Sequence, residues 1–163
     1  MQVMERDAEE IILTPAGREK MERELEKLVK EDRHEVADRI REAKAFGELT
    51  ENAEYEAAKT AQAFVEGRII DLKRILANAR TLSPGEVTTD TVGLGSVVTV
   101  RDLDYGDDWT LTLVSPYEAD PDKDYISNLS PVGKALFGRV VGDRIEVKTP
   151  GGVTHYEIQQ IGK

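Results

Sequence analysis

Glu48, Glu51 and Glu54 gather around one glycine in the decapeptide FGELTENAEY, residues 46–55. Glu48 and Glu51 stand three residues apart across what reads as a turn, and carboxylates so spaced can converge on one hard cation such as Mg²⁺. One or two carboxylates do not complete its octahedron, so water, a substrate or another protein must supply the remaining ligands. Read in isolation, Glu51 is an acid near a helix N-terminus that favours the helix dipole, and Glu48 is a soluble turn residue. Three details favour chemistry. The acids end a long helical lever, Gly47 and a Thr50 cap fix the turn, and Leu49 places an apolar side chain where only solvent is expected. Loops held by rigid scaffolds are where functional residues concentrate.

Other chemistries lack their parts. The chain has no cysteine, which excludes disulfides, thiolate zinc sites and cysteine nucleophiles. His34 and His155 are its only histidines, one on a charged helix face and one in a predicted strand. There is no G-x-S-x-G elbow and no P-loop. The glycines at 93–95 and 150–152 read as ordinary turns.

The elements that must position the acids are two helices. Thr14-Pro15 supplies a cap and a proline at the first helical position. Leu25, Val29, Val36, Ile40 and Ala43 then fall on one narrow stripe, and Gly47 stops the helix. A second helix is expected from Thr50 or Glu51, with Val65, Ile69, Leu72, Leu76 and Ala79 in heptad spacing. Joined by so short a turn, the two helices must run antiparallel, each arm about 45 Å long at about 1.5 Å per residue. Ala43, Ala45, Ala53, Ala57, Ala58 and Ala61 keep the far end slim. The basic residues Arg18, Lys20, Arg23, Lys27 and Lys30 read as a solvated, salt-bridged face.

From Thr81 the chain turns rich in Ser, Thr, Pro and Gly, as a linker would be. Strand-like segments follow at 96–100, 109–114, 144–149 and 155–161, and Ser130-Pro131 opens a short helix ending at Gly138. The expected fold class is α+β: an N-terminal antiparallel coiled-coil hairpin over residues 1–82 with its tip at 46–52, then a small antiparallel β domain with one short helix over 83–163. Charged residues make up 33% of the chain, which suits an elongated shape. A net charge of −10 opposes general nucleic-acid binding and favours a basic protein, a cation or an electropositive cleft as partner. No apolar run reaches membrane-spanning length and the N-terminal residues are too acidic for a signal peptide, so a cytoplasmic protein with no membrane partner is expected.

Residues 47–55, GELTENAEY, resemble the tip motif G-[D/E]-L-[S/T]-E-N-A-E-Y of the bacterial transcript cleavage factors of the GreA/GreB family, nearer to its GreA branch. LTPAG at 13–17, EGRI at 66–69, SPVGKALFG with VGD at 130–143 and VKTPGGVTHYEI at 147–158 resemble the family in order and spacing, so the similarity runs from about residue 11 to 161.

The resemblance implies a monomer that binds core RNA polymerase and inserts its coiled coil through the secondary channel, where the backtracked RNA 3′ end is extruded. It implies that Glu48 and Glu51 support a second Mg²⁺, shared with the polymerase and not held stably by the factor alone. It implies that the factor stimulates RNA cleavage carried out in the polymerase active site and is no enzyme itself. Leu49, Thr50, Asn52 and Tyr55 would shape the tip or contact RNA, with capping or packing equally open for Asn52 and Tyr55. The C-terminal domain would adopt an FKBP-like fold and dock, through Ser130 and Pro131, on the coiled coil at the channel entrance. Two positions depart from the family pattern: Glu48, where many relatives have aspartate, and Leu129, where relatives often carry a polar or acidic residue. A channel-binding regulator or inhibitor of polymerase is the alternative within this frame. A coiled-coil interaction or chaperone-like module is the alternative outside it.

Overall fold

Thr14 starts the first helix as its sequence anticipates, its Oγ1 accepting a 3.0 Å hydrogen bond from the Gly17 amide while Pro15 fills the first helical position. In this computed structural model residues 10–47 and 52–163 are described. They divide into two units: Arg18–Ala79, and Arg80–Lys163 together with the described residues up to Gly17.

The first unit is a helical hairpin. Helix α1 (Pro15–Lys27) runs into a π-helical turn, Leu28–Asp32, and on into α2 (Arg33–Ala45); α3 (Ala53–Asn78) returns. Buried residues of the first arm are Met21, Leu28, Val36 and Ala43. Their spacing is 7, 8 and 7, and the π turn, which takes more residues per turn than an α-helix, absorbs the extra residue so the stripe stays on one side. The sequence-based stripe thus needs correction: Leu25, Val29 and Ile40 are half-buried flanks of it. On α3, Ala58, Val65, Ile69, Leu72 and Ile75 are buried. Leu76 is a half-buried neighbour, and Ala79 has left the helix for strand β2 (Ala79–Thr81).

Ties between the arms fix an antiparallel register. Glu24 accepts from Arg68 Nε and Nη2 at 2.7 and 2.9 Å, Arg33 gives Glu66 two bonds of 2.9 Å, and Asn52 reaches Ala43. The Arg68 guanidinium holds the Glu24 carboxyl below its ordinary value and is itself pushed up. The basic face of α1 is salt-bridged as expected: Arg23 to Glu19 at 3.0 Å, Lys27 to Asp32 at 2.8 Å and Lys30 to Glu26 at 2.9 Å. Such exposed pairs contribute little stability individually.

The second unit holds a two-stranded pair, β1 (Ile11–Leu13) with β2, and a five-stranded sheet in the order β5-β4-β3-β7-β6. Its strands are β3 (Val97–Asp102), β4 (Asp108–Val114), β5 (Tyr125–Ser127), β6 (Arg144–Thr149) and β7 (Gly152–Gly162). All pairings are antiparallel except β4 with β5. Alternate residues face the core, as period-2 strands require: Val98 and Val100, Leu111 and Leu113, Ile145 and Val147. The short helix α4 (Pro131–Leu136) adds Leu136, fully buried.

The α+β class and the strands anticipated from sequence are present, with β1, β2 and β5 as additions. The segment read as a linker is structured: Val92 lies in the core, and Ser83 caps the turn Pro84–Glu86 while Glu86 reaches back to the Ser83 amide. Arg80 bridges Glu86 and Glu10.

Candidate functional site

The hairpin end is built by small side chains and one asparagine. Ala43 and Ala58 are nearly fully buried, which lets α2 and α3 approach closely. Phe46 ends α2, and Gly47, at φ 96°, takes the left-handed conformation that stops it, its amide donating to the Lys44 carbonyl at 3.1 Å. The stop at Gly47 is therefore where the sequence places it.

The start of α3 differs from expectation. Asn52, at φ −90° and ψ 96°, is its N-cap, and its Oδ1 accepts from the Tyr55 amide at 3.0 Å. The helix begins at Ala53 rather than at Thr50 or Glu51, because an asparagine acceptor facing the third helical amide satisfies an otherwise orphaned donor. The same side chain uses its other end: Nδ2 donates at 2.6 Å to the Ala43 carbonyl in the last turn of α2, which also accepts from the Phe46 amide at 3.2 Å. One residue thus clasps both helices across the turn. Tyr55 is half-buried and Glu54 exposed. Glu48, Leu49, Thr50 and Glu51 lie outside the described residues. Among the described residues no group of three or more Asp, Glu or His side chains is placed to hold a metal ion.

Ser130 and Pro131 stand at the other end of the chain's candidate list. Ser130 caps α4: its Oγ accepts from the Gly133 amide at 3.1 Å and donates to the Ser127 carbonyl at 2.6 Å. Pro131 is exposed at the first helical position. Ser127, which sequence reasoning passed over, is the second half of this joint, its Oγ accepting from the Leu129 amide at 3.0 Å. The S-x-x-S spacing was the available signal. Gly133 is required by closeness: a Cβ there would stand 2.0 Å from the Ser127 carbonyl oxygen.

The family profile described as "Transcription elongation factor, N-terminal" matches residues 11–81, and that described as "Transcription elongation factor, GreA/GreB, C-term" matches residues 87–163. The chain belongs to the GreA/GreB family of transcription elongation factors. Curated relatives match most of the chain. The chain is 45% identical to transcription elongation factor GreA of Acetivibrio thermocellus over 94% of this chain and 97% of that one. It is 45% identical to GreA of Syntrophomonas wolfei over 96% and 99% respectively. Among solved structures it is similar to GreA factor homolog 1 of Thermus thermophilus, at 35% identity, covering 94% of this chain and 99% of that one with a TM-score of 0.44.

Within the GreA/GreB family the residue-level motif and the geometry meet at Asn52. Its place in GELTENAEY is that of a side chain bonded to both helices at the hairpin end.

Proposed function

We propose that this chain binds core RNA polymerase, inserts its hairpin into the secondary channel and stimulates the polymerase's own cleavage of backtracked RNA. The observation that carries the reading is the clasped, slim hairpin end: Asn52 bonds both α2 and α3 where alanines let them close, immediately beside the motif acids Glu48 and Glu51. A narrow end suits a narrow channel, and a fixed end suits groups that must be placed within a fraction of an ångström.

The donor set fits Mg²⁺. Glu48 and Glu51 offer hard carboxylate oxygens, suited to this ion and too few to enclose it, as a shared site requires. Bound between these acids and the polymerase, Mg²⁺ would supply activation of water and stabilisation of the phosphate's charge. The chain's own part is positional. Glu48 and Glu51 would supply the carboxylates, Gly47 and Asn52 stand at the two ends of the segment that carries them, and half-buried Tyr55 lies in the first turn of α3. The C-terminal unit would dock at the channel entrance through the surface around Ser130 and Pro131. Without the polymerase the chain cleaves nothing.

The test is transcript cleavage in backtracked elongation complexes, measured together with nucleotide addition. The reading predicts shortened RNA on addition of the chain and Mg²⁺, and restored elongation. Uncut RNA overturns it, and uncut RNA with slowed nucleotide addition would make the chain a channel-binding inhibitor instead.

A further inference from the structure

Phe46, at the end of the first arm, leaves 79% of its surface exposed. Ala43, one turn earlier, is the last buried residue of α2, and α3 starts only at Ala53. The backbone that carries the ring is nonetheless fixed. The Phe46 amide donates to the Ala43 carbonyl at 3.2 Å, the same acceptor that Asn52 Nδ2 reaches, and the Gly47 amide donates to the Lys44 carbonyl at 3.1 Å. Phe46 keeps helical backbone angles, φ −81° and ψ −7°, and Gly47 turns the chain at φ 96°. An exposed phenylalanine forgoes the burial that would stabilise the hairpin. Here it is held out to solvent from a backbone tied by three hydrogen bonds within a few residues.

We propose that the Phe46 ring is a stacking platform for one unpaired base of the backtracked RNA, that of the nucleotide on the 3′ side of the scissile phosphate. The proposal rests on the reading that the hairpin end enters the polymerase where that RNA is cut. Two peptide units join the Cα atoms of Phe46 and Glu48 and span at most about 7 Å. A phosphate attended by the Glu48 carboxylate therefore has its attached nucleotide within reach of the Phe46 ring. Unpaired bases expose both faces, and aromatic side chains are what single-stranded RNA stacks on. Phenylalanine carries no hydrogen-bonding group, so it recognises a base by ring overlap, more with a purine than with a pyrimidine, and ignores the base's edge. The net charge of −10 narrows the choice of contact: so acidic a chain gains little from phosphates, whereas an uncharged ring face meets no such repulsion.

The experiment compares wild-type chain with Phe46→Ala in polymerase complexes backtracked by one nucleotide, the RNA ending in adenosine or in an abasic nucleotide. Each rate is the cleavage that saturating chain adds to that of polymerase alone. Wild type should cut the adenosine end about tenfold faster than the abasic end, the size of one lost base–aromatic stack. Phe46→Ala should cut both ends at the slower rate. Phe46→Trp should keep the difference, and Phe46→Leu, apolar but without an aromatic face, should lose it. Phe64→Ala, which removes the hairpin's other exposed phenylalanine, should behave as wild type. Because the Phe46 ring is exposed, the circular-dichroism melt of Phe46→Ala should match that of wild type. Equal slowing of both ends by Phe46→Ala assigns the ring to a protein wall or to the hairpin's own structure and overturns the proposal, as do wild-type rates at both ends. A wild-type chain that cleaves without distinguishing the two ends overturns this proposal alone. A wild-type chain that adds no cleavage to either RNA overturns the functional reading, and this proposal with it.

Discussion

Replacing Asn52 by alanine removes both halves of the clasp at the hairpin end. Losing an asparagine N-cap costs about 1 kcal/mol, here the 3.0 Å bond from the Tyr55 amide. Losing the 2.6 Å bond from Nδ2 to the Ala43 carbonyl adds about 1 kcal/mol. The sum, about 2 kcal/mol, corresponds to about a thirtyfold rise in the opening equilibrium of the first turn of α3. Amide hydrogen exchange at Tyr55 and Glu56 should accelerate by about that factor, while amides in the C-terminal sheet keep their wild-type protection. Asn52→Asp keeps the acceptor and loses the donor, so it should accelerate exchange at Tyr55 less than alanine does. In backtracked polymerase complexes, Asn52→Ala should lower the cleavage rate about tenfold or more, because misplaced groups lose rate steeply, with polymerase affinity unchanged. Unaltered exchange at Tyr55 in Asn52→Ala, or a larger effect from Thr50→Ala, would refute the assignment of Asn52 as cap and clasp.

Three further outcomes follow from the fold. Gly133→Ala forces a Cβ against backbone at Ser127, which neither side can yield cheaply; urea unfolding of the C-terminal unit should show a loss of about 2 kcal/mol, and an unchanged midpoint would contradict the close approach. Deleting Lys30 should convert the π turn to α-helix and leave the hairpin folded, whereas deleting Ala37 shortens the interval from Val36 to Ala43 and should unfold it, as circular dichroism melts would report. Glu86 is held down to about 2 from an ordinary 4.5 by its bonds from Arg80 and Ser83; a depressed carboxyl stabilises above its unfolded value, so this contribution is complete above about pH 4.5 and lost as pH falls toward about 2. Glu86→Gln should flatten that part of the pH–stability curve, and an identical curve in the variant would contradict it.

Local signals carried much of the architecture. Thr14-Pro15, Gly47 and Ser130-Pro131 are caps and stops whose chemistry is complete within a few residues, and each sits where that chemistry puts it. The strands with clean alternation, such as RIEVKT at 144–149, were equally legible. What was missed depends on partners distant in sequence. Strand β5 is three residues long and exists through pairing with β4, and Val92 is core only because the sheet closes over it. The π turn is invisible to a 3.6-residue period, and skipping it displaced the reading of the first stripe from Met21 and Leu28 to Leu25 and Val29. Thr50 and Asn52 are both able to cap, and the choice of Asn52 follows from a carbonyl, that of Ala43, on the other helix. For the candidate site, the motif names Glu48 and Glu51 as acids, and the described residues give the frame on either side of them.

The most direct measurement compares wild-type chain with Glu48→Ala and Glu51→Ala in backtracked RNA polymerase complexes, following RNA cleavage at fixed Mg²⁺ and polymerase affinity in parallel. The account predicts that each substitution lowers the cleavage rate by about a hundredfold or more while affinity stays within about twofold of wild type, since docking belongs to other surfaces. Cleavage that persists at the wild-type rate in both variants would contradict it.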